Sequence, residues 1–347
     1  MPAVDLVVPG DIDTLTGGYI YDRRMLAGLA RLGWQTSVHS LPDSFPEPSA
    51  DALAVANAVL TGIPDRTTVV IDGLALAGLK DLLPPHIMRL RLVALIHHPL
   101  AYETGLDPKR AMRLEAAESA ALARVHRVIV TSPWTKGVLE SFGVGAARIS
   151  VVEPGTDAAP LHRPHPGAPL ELLCVASLTK RKGHAVLFDA LARLRGRSWH
   201  LTCAGSPTRD PELAANLRAQ IERLGIRDRV TFLGELAPEA LGELYARADV
   251  FVLASYLEGY GMVFAEALAR GIPIVATTGG AVASTVPAAA SRLVAPGDSA
   301  ALAHALEELF DNANLRAELA VGAAAARASL PSWETASERF AQALLET

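Results

Sequence analysis

The chain has 347 residues, half of them apolar and 5% aromatic, with a formal net charge of −5. That length suits about two domains, and an alanine- and leucine-rich, aromatic-poor composition favours α/β layers over a β sandwich. The absence of a lysine or arginine stripe argues against nucleic acid as a partner, and two cysteines, Cys174 and Cys203, each inside an apolar run, give neither a disulfide framework nor a zinc site.

Val4 to Val8 reads as an opening strand, followed by the loop Pro9 to Gly18 and a helix carrying Ile20, Met25, Leu26, Leu29 and Leu32 that ends at Gly33. Strands are expected near 36–40, 68–72, 91–96, 127–131 and 148–152, alternating with helices near 50–61, 75–83, 107–124 and 133–142. Such alternation implies a parallel sheet with helices on both faces. Residues 153–169 break the pattern with prolines and glycines, which predicts a linker. The grammar then restarts. A strand at 172–176 leads through Lys182-Gly183 into a helix to about Arg195, and strands follow near 199–204, 229–233, 250–253, 273–276 and 292–294. Residues 299–346 show no strand signal, and Pro331-Ser-Trp333 separates a last helix. The expected organisation is one Rossmann-like domain over 1–160, a second over 165–331, a cleft between them, and a C-terminal helix, 332–347, crossing back to the first. No apolar run reaches the roughly 18 residues of a membrane span, and residues 1–8 lack the basic start of a signal peptide; the expectation is a soluble, cytoplasmic protein.

Residues 249–280 carry the strongest chemical signal. A buried-strand pattern at 250–253 runs into Gly259-Tyr-Gly261, then a helix to Arg270 closed by Gly271-Ile-Pro273. The N–H groups of Gly261, Met262 and Val263 open that helix and suit a phosphate. Glu258 precedes it and Glu266 lies inside it, with seven residues between them. Carboxylates beside an anion site do not bind the anion. They accept paired hydroxyl donors, as sugars offer, so the combination points to a sugar nucleotide. Thr179-Lys-Arg-Lys182-Gly183 adds three cations after the first strand of the second half. A charge run is usually a solvated face, but open α/β sheets bind ligands at strand carboxyl ends, where cations would stabilise a leaving diphosphate. Gly17-Gly18 opens the first helix in the same manner, as either an ordinary turn or a close approach to an oxyanion.

Ser255-Tyr-Leu-Glu-Gly-Tyr-Gly261 with Glu266-Ala-Leu-Ala-Arg-Gly-Ile-Pro-Ile-Val-Ala276 resembles the two-glutamate signature of family-4 retaining glycosyltransferases with the GT-B fold. Val175–Gly183, Val230–Glu235, Thr278-Gly-Gly280 and Pro296-Gly-Asp298 match further stations in order, and Gly17-Gly18 and His97-His98-Pro99 match the first domain. The resemblance implies a second domain that binds a nucleoside-diphosphate sugar. Glu258 would meet sugar hydroxyls, the Gly259, Tyr260, Gly261, Met262 and Val263 backbone the sugar and diphosphate, and Glu266 the ribose. Lys182 would hold the diphosphate, and the backbone around Leu233, Gly234 and Glu235 would border the base. His97, or its neighbour His98, would lie beside the donor sugar. One departure stands out: the family's arginine five residues before Lys182 is Ser177 here. Arg181 or Lys180 is the available substitute, although a neighbour of Lys182 on an extended backbone points away from it.

Asp11-Ile-Asp13 imitates a metal-binding D-x-D, but two carboxylates supply too few ligands, and the resemblance implies a metal-independent enzyme with no cofactor. The expected activity is retaining transfer of a sugar to a small-molecule or other soluble acceptor held by the first domain. Alternatives are an epimerase or hydrolase of nucleotide sugars using Asp72 and Glu103, a non-catalytic nucleotide-sugar binder, and a nicotinamide enzyme, for which no G-x-G-x-x-G follows a strand. Residues 1–160 hold 14 Lys/Arg against 17 Asp/Glu, so the basic face of an anionic-membrane binder is not expected.

Overall fold

The computed structural model describes residues 2–162, 167 and 169–346; residues 163–166 and 168 of the expected linker lie outside the described residues. Two units divide the chain, Met1–Gly155 with Pro331–Thr347, and Thr156–Leu330.

Unit 1 holds β1 (Ala3–Pro9), β2 (Gln35–Leu41), β3 (Thr68–Asp72), β4 (Arg91–Ile96), β5 (Arg127–Val130) and β6 (Ile149–Val151). They pair in parallel in the order β2-β1-β3-β4-β5-β6. Interior strands of a parallel sheet are covered on both faces and must be apolar nearly throughout. Accordingly β3 is buried along its whole length, and β4 from its second residue on. The order reverses between β1 and β3, and ligands of open α/β sheets bind at such switch points, beyond the strand carboxyl ends. The helices are α1 (Gly17–Arg31), α2 (Ala50–Gly62), α3 (Gly73–Leu76), α4 (Pro108–Leu122) and α5 (Pro133–Ser141). Hydroxyl or carboxylate caps at Thr16, Ser49, Asp72, Asp107 and Ser132 each accept a first-turn N–H. The single helix expected over 75–83 is not formed: α3 is one turn, followed by 3₁₀ turns at Ala77–Leu79 and Pro84–His86. Gly78 sits so close to Pro48 and Phe45 that a Cβ would come within 2.8 and 2.9 Å of them, and Pro84-Pro85 cannot donate the N–H groups that a continuing helix needs.

Unit 2 holds β7 (Leu170–Val175), β8 (Trp199–Ala204), β9 (Val230–Gly234), β10 (Val250–Leu253), β11 (Ile274–Thr277) and β12 (Ser291–Val294). The order is β12-β11-β10-β7-β8-β9, again parallel, and its switch point lies between β7 and β10. The helices are α6 (His184–Arg193), α7 (Pro211–Arg223), α8 (Pro238–Arg247), α9 (Met262–Ala269), α10 (Val282–Thr285), α11 (Ser299–Asp311) and α12 (Ala313–Ala326). Beyond Leu330 the chain returns to unit 1 as α13 (Trp333–Leu345). Its buried Phe340 and Trp333 pack on Tyr21 of α1 at 6.2 and 6.4 Å between ring centroids, and burying such an aromatic contributes about 1.5–3 kcal/mol. Close approach is possible because Gly28 leaves Ser337 the space of a side chain.

Candidate functional site

In unit 2 the loop after β10 is built by two glycine turns that meet. Gly261 caps α9 with φ 88°, and Gly280 has φ 66°, a region that only glycine enters without strain. Glu258 N–H donates to Gly279 O (3.2 Å), and Ala281 N–H to Glu258 O (2.8 Å). A Cβ on Gly280 would lie 2.3 Å from Glu258 O, and one on Gly279 2.5 Å from Tyr256 O. The glycines are therefore what allow Glu258 to be fixed at the switch point.

Across that point, the segment after β7 folds as a 3₁₀ turn, Lys180–Lys182, closed by Gly183 at φ 66°. Lys182 Nζ donates to both oxygens of Glu258, at 2.7 and 2.9 Å. Ser255 Oγ donates to Oε1 at 2.5 Å. Arg181 Nη1 donates to Leu257 O at 2.9 Å and lies 3.5 Å from Glu258 Oε2. An Arg181 side chain turned away from Lys182, as an extended backbone requires, is therefore incorrect: the 3₁₀ turn swings both cations to one carboxylate. Glu258 is 4% exposed. Burial alone would raise its carboxyl, but Lys182, Arg181 and the bonds from Lys182 and Ser255 outweigh burial and hold it below the usual range. Burial also lowers the Lys182 ammonium, and Glu258 counters that.

The remaining unit 2 candidates occupy the same sheet edge or α9. Met262 and Val263 form the first turn of α9, and Tyr260, buried, precedes it next to Gly259, its carbonyl accepting from Thr285 Oγ1 at 2.8 Å. Glu266, one turn into α9, accepts from Tyr245 Oη at 2.8 Å; burial raises its carboxyl against the pull of Tyr245 and Arg270. Gly234 ends β9 at φ 71°, its carbonyl accepting from Gly205 N–H at 2.8 Å, and Glu235 is exposed beside it. Ser177 is half-buried just past β7, where its carbonyl accepts from Thr179 N–H at 2.8 Å. Cys174 and Cys203 are opposite each other on β7 and β8, free and buried.

In unit 1, Gly17 and Gly18 open α1, and a Cβ on Gly18 would lie 3.1 Å from His97 Cδ2. His97 follows β4, its carbonyl held by Thr131 Oγ1 at 3.2 Å. Its Nε2 lies 3.0 Å from Asp22 Oδ1 and 3.5 Å from Asp72 Oδ2. His98 turns instead to Glu103, at 3.2 Å. Asp22 was missed in the sequence: it lies one turn beyond Gly18, where an amphipathic helix can expose a polar residue, and its partner is 75 residues away. Ser255 was missed for a similar reason, since a serine at a strand end has no signature of its own. Asp22, Asp72 and His97 offer one ligand atom each within 4.8 Å of one another, and among the described residues this is the group that a cation could use. Asp11 accepts from Asp13 N–H at 2.9 Å and is a local turn cap.

Residues 20–159 match the model of Glycosyltransferase Family 4, and residues 162–325 that of Glycosyl transferases group 1. The MMP alpha-(1->4)-mannosyltransferase of Mycolicibacterium hassiacum is 30% identical over 292 residues, which is 77% of this chain and 67% of that protein. The first curated relatives it matches are spanned over about half their length, 52% and 47%. Among solved structures, sucrose-phosphate synthase from Thermosynechococcus elongatus superposes with a TM-score of 0.83 at 22% identity, over 100% of this chain and 99% of that one. Anabaena HepE in complex with UDP-glucose gives 0.78 at 19%, over 99% and 100%. The two parallel six-stranded sheets and these superpositions give the fold as GT-B, and the family matches over both units make the chain a member of glycosyltransferase family 4.

Proposed function

We propose that the chain is a retaining glycosyltransferase that moves a sugar from a nucleoside-diphosphate donor, bound by unit 2, to a small soluble acceptor held by unit 1, without a metal. The observation that carries this is the buried Glu258 carboxylate held by Lys182, Arg181 and Ser255 beside the first turn of α9. A charged pair so deeply buried is a poor stabiliser compared with apolar packing, but it is well suited to exchange partners. Lys182, and Arg181 in place of the arginine absent at Ser177, pass from Glu258 to the diphosphate and oppose the charge that develops as the glycosidic bond breaks. The Gly261–Val263 N–H groups face the same phosphates. Glu258, released, accepts from sugar hydroxyls; it anchors the sugar rather than attacking it. Glu266 takes the ribose hydroxyls, Gly234 and Glu235 border the base, and His97 meets the donor sugar. That HepE is seen with UDP-glucose supports a donor of this class. The acidic balance of residues 1–160 favours a soluble acceptor over an anionic lipid.

A thermal-shift screen against a nucleotide-sugar panel tests the donor, since a ligand at 100 times its Kd stabilises by about 2.7 kcal/mol. Transfer assays of Glu258→Gln and Lys182→Ala test the roles. Wild-type rates in both variants would remove the assignment, and donor turnover that is equally fast without acceptor would favour a hydrolase or epimerase.

A further inference from the structure

His97 is held more tightly than contact with a sugar requires. Its Nε2 faces two carboxylates at 3.0 and 3.5 Å, and Asp22 and Asp72 are each 1% exposed. Asp72 Oδ1 accepts from Leu74 N–H at 2.8 Å. Asp22 Oδ2 and Asp72 Oδ2, by contrast, have no hydrogen-bond partner among the described residues. Two ionised carboxylates left so in the interior would cost several kcal/mol each. Water does not relieve Asp22: the adjoining cavity of about 10 Å³ is lined otherwise by apolar side chains such as Val4, Leu6, Met25 and Phe340, and a buried water needs two to four polar partners.

We propose that Asp22 and Asp72 are positioning residues that clamp His97 as an imidazolium, Nε2–H turned inward to the carboxylates and Nδ1–H left as the ring's donor to the ligand. This rests on His97 being the histidine that meets the donor sugar. Charge balance supports it: one proton on one of the two carboxyls and one extra on the ring make the cluster neutral. Burial lowers His97, but the charge and hydrogen bond of Asp22 and the charge of Asp72 override it and raise the ring above its ordinary value. Burial and then Asp22 push Asp72 up to about 7, with His97 and Leu74 N–H opposing. Among the described residues, no other charged side chain acts on His97 or Asp72. Tyr21 of α1 meets the His97 ring edge-on at 5.5 Å, with its hydroxyl bonded to Val152 O, and burial and Asp22 keep that phenol neutral. Thr131, beyond β5, reaches the His97 carbonyl, and α13 presents Phe340 and Trp333 to Tyr21.

An imidazolium has no lone pair, so His97 serves as a hydrogen-bond donor to a sugar or phosphate oxygen and is excluded as a general base. A metal would need that lone pair.

The test is an NMR titration of isotope-labelled histidine in the ligand-free full chain, with Asp22→Asn and Asp72→Asn. Wild-type His97 is expected to titrate above about 6.5, and Asp22→Asn to lower its midpoint by about one pH unit or more. Asp72→Asn, which preserves the cap on Leu74, lowers it less; if one variant does not fold, the other decides. A wild-type midpoint at or below the ordinary value, midpoints unmoved in the variants, or Zn²⁺ or Mn²⁺ binding lost in both variants would overturn the clamp. In a transfer assay kcat should fall as pH rises through the His97 midpoint and do so at lower pH in Asp22→Asn, whereas a rise with pH would make His97 a base and overturn the donor role. Failure of every nucleotide sugar to bind would count against the proposed function alone, since the titration needs no ligand.

Discussion

Lys182→Met tests the physics of the unit 2 site directly. The substitution keeps most of the side-chain volume and deletes one charge, and it leaves Glu258, 4% exposed, with Ser255 Oγ at 2.5 Å and Arg181 at 3.5 Å. Breaking a buried pair from one side costs about 3–5 kcal/mol; because two partners remain, a loss of about 3 kcal/mol is expected at neutral pH. Its pH dependence has a definite sign. In the wild type the Glu258 carboxyl is held below 4.5, so it contributes stability above that value that is lost as pH falls through its folded pKa. Without Lys182 the largest attraction opposing burial is gone and the carboxyl moves up from its wild-type position, so the variant gains less stability as pH rises. The gap between the two proteins therefore widens from acid to neutral pH. Lys182→Met/Glu258→Gln removes both charges and should recover most of the loss. Two units need not unfold together, so the readout is hydrogen exchange of β10 and α9 amides in increasing urea. A Lys182→Met cost below about 1 kcal/mol, or single-variant effects that simply add in the double-mutant cycle, would refute the reasoning.

Gly28→Ala should destabilise unit 1 by about 1–3 kcal/mol through overpacking, because its Cβ would lie 1.8 Å from Ser337 Oγ and 2.4 Å from Ser337 Cβ; Ser337→Gly in the same chain should restore part of that in a thermal melt. Burial, and the Glu115 charge, push Glu118 up to about 8 against the Leu100 N–H bond, so its contribution is complete below about 4.5 and lost as pH rises to about 8; Glu118→Gln should flatten that limb of the stability profile. Gly183→Ala should lose ligand-independent stability and donor binding together, since φ is 66° and a Cβ would stand 2.0 Å from Ala254 O; limited proteolysis and the thermal-shift panel report the two effects.

The strands were readable because parallel strands advertise their burial. β10 is apolar throughout, β3 is apolar between Thr68 and Asp72 and β4 after Arg91, and all three form where that pattern places them. The helices α7 and α8 have a weak sequence signal because they bury little: three residues in α7 and Tyr245 alone in α8, so most of each sequence follows solvent rather than the core. The glycine-rich loop around Glu258 was legible for a steric reason, as Gly261 and Gly280 sit where a side chain is not tolerated. Arg181 departs from the direction an extended backbone implies, because one 3₁₀ turn is enough to redirect a neighbour. Asp22 could not be read at all. Its meaning depends on Asp72 and His97, brought to it by β3 and β4, and no local pattern carries a contact of that range.

Buried charge is where the two units depart furthest from what stability alone would choose. Glu258 with Lys182 and His97 with Asp22 and Asp72 lie at the carboxyl edge of their own sheets, where apolar residues of similar volume would pack as well or better. Local rules are broken at functional sites and compensated elsewhere, and here the compensation is visible. Gly279 and Gly280 give up side chains so that the Glu258 loop can be tied by two backbone bonds, and Gly18 gives up its own so that the His97 ring can lie against α1. The clusters differ in one respect that bears on what they do. Glu258 takes its donors from Lys182, Arg181 and Ser255, so a ligand that draws the cations to its phosphates can put its own hydroxyls in their place while Ser255 stays bonded. Asp22 and Asp72 have fewer donors than oxygens, so a ligand that removed the His97 proton would leave them uncompensated. Under the proposed function, the first arrangement permits exchange of partners and the second resists it, so that Lys182 and Arg181 move while His97 keeps a fixed orientation.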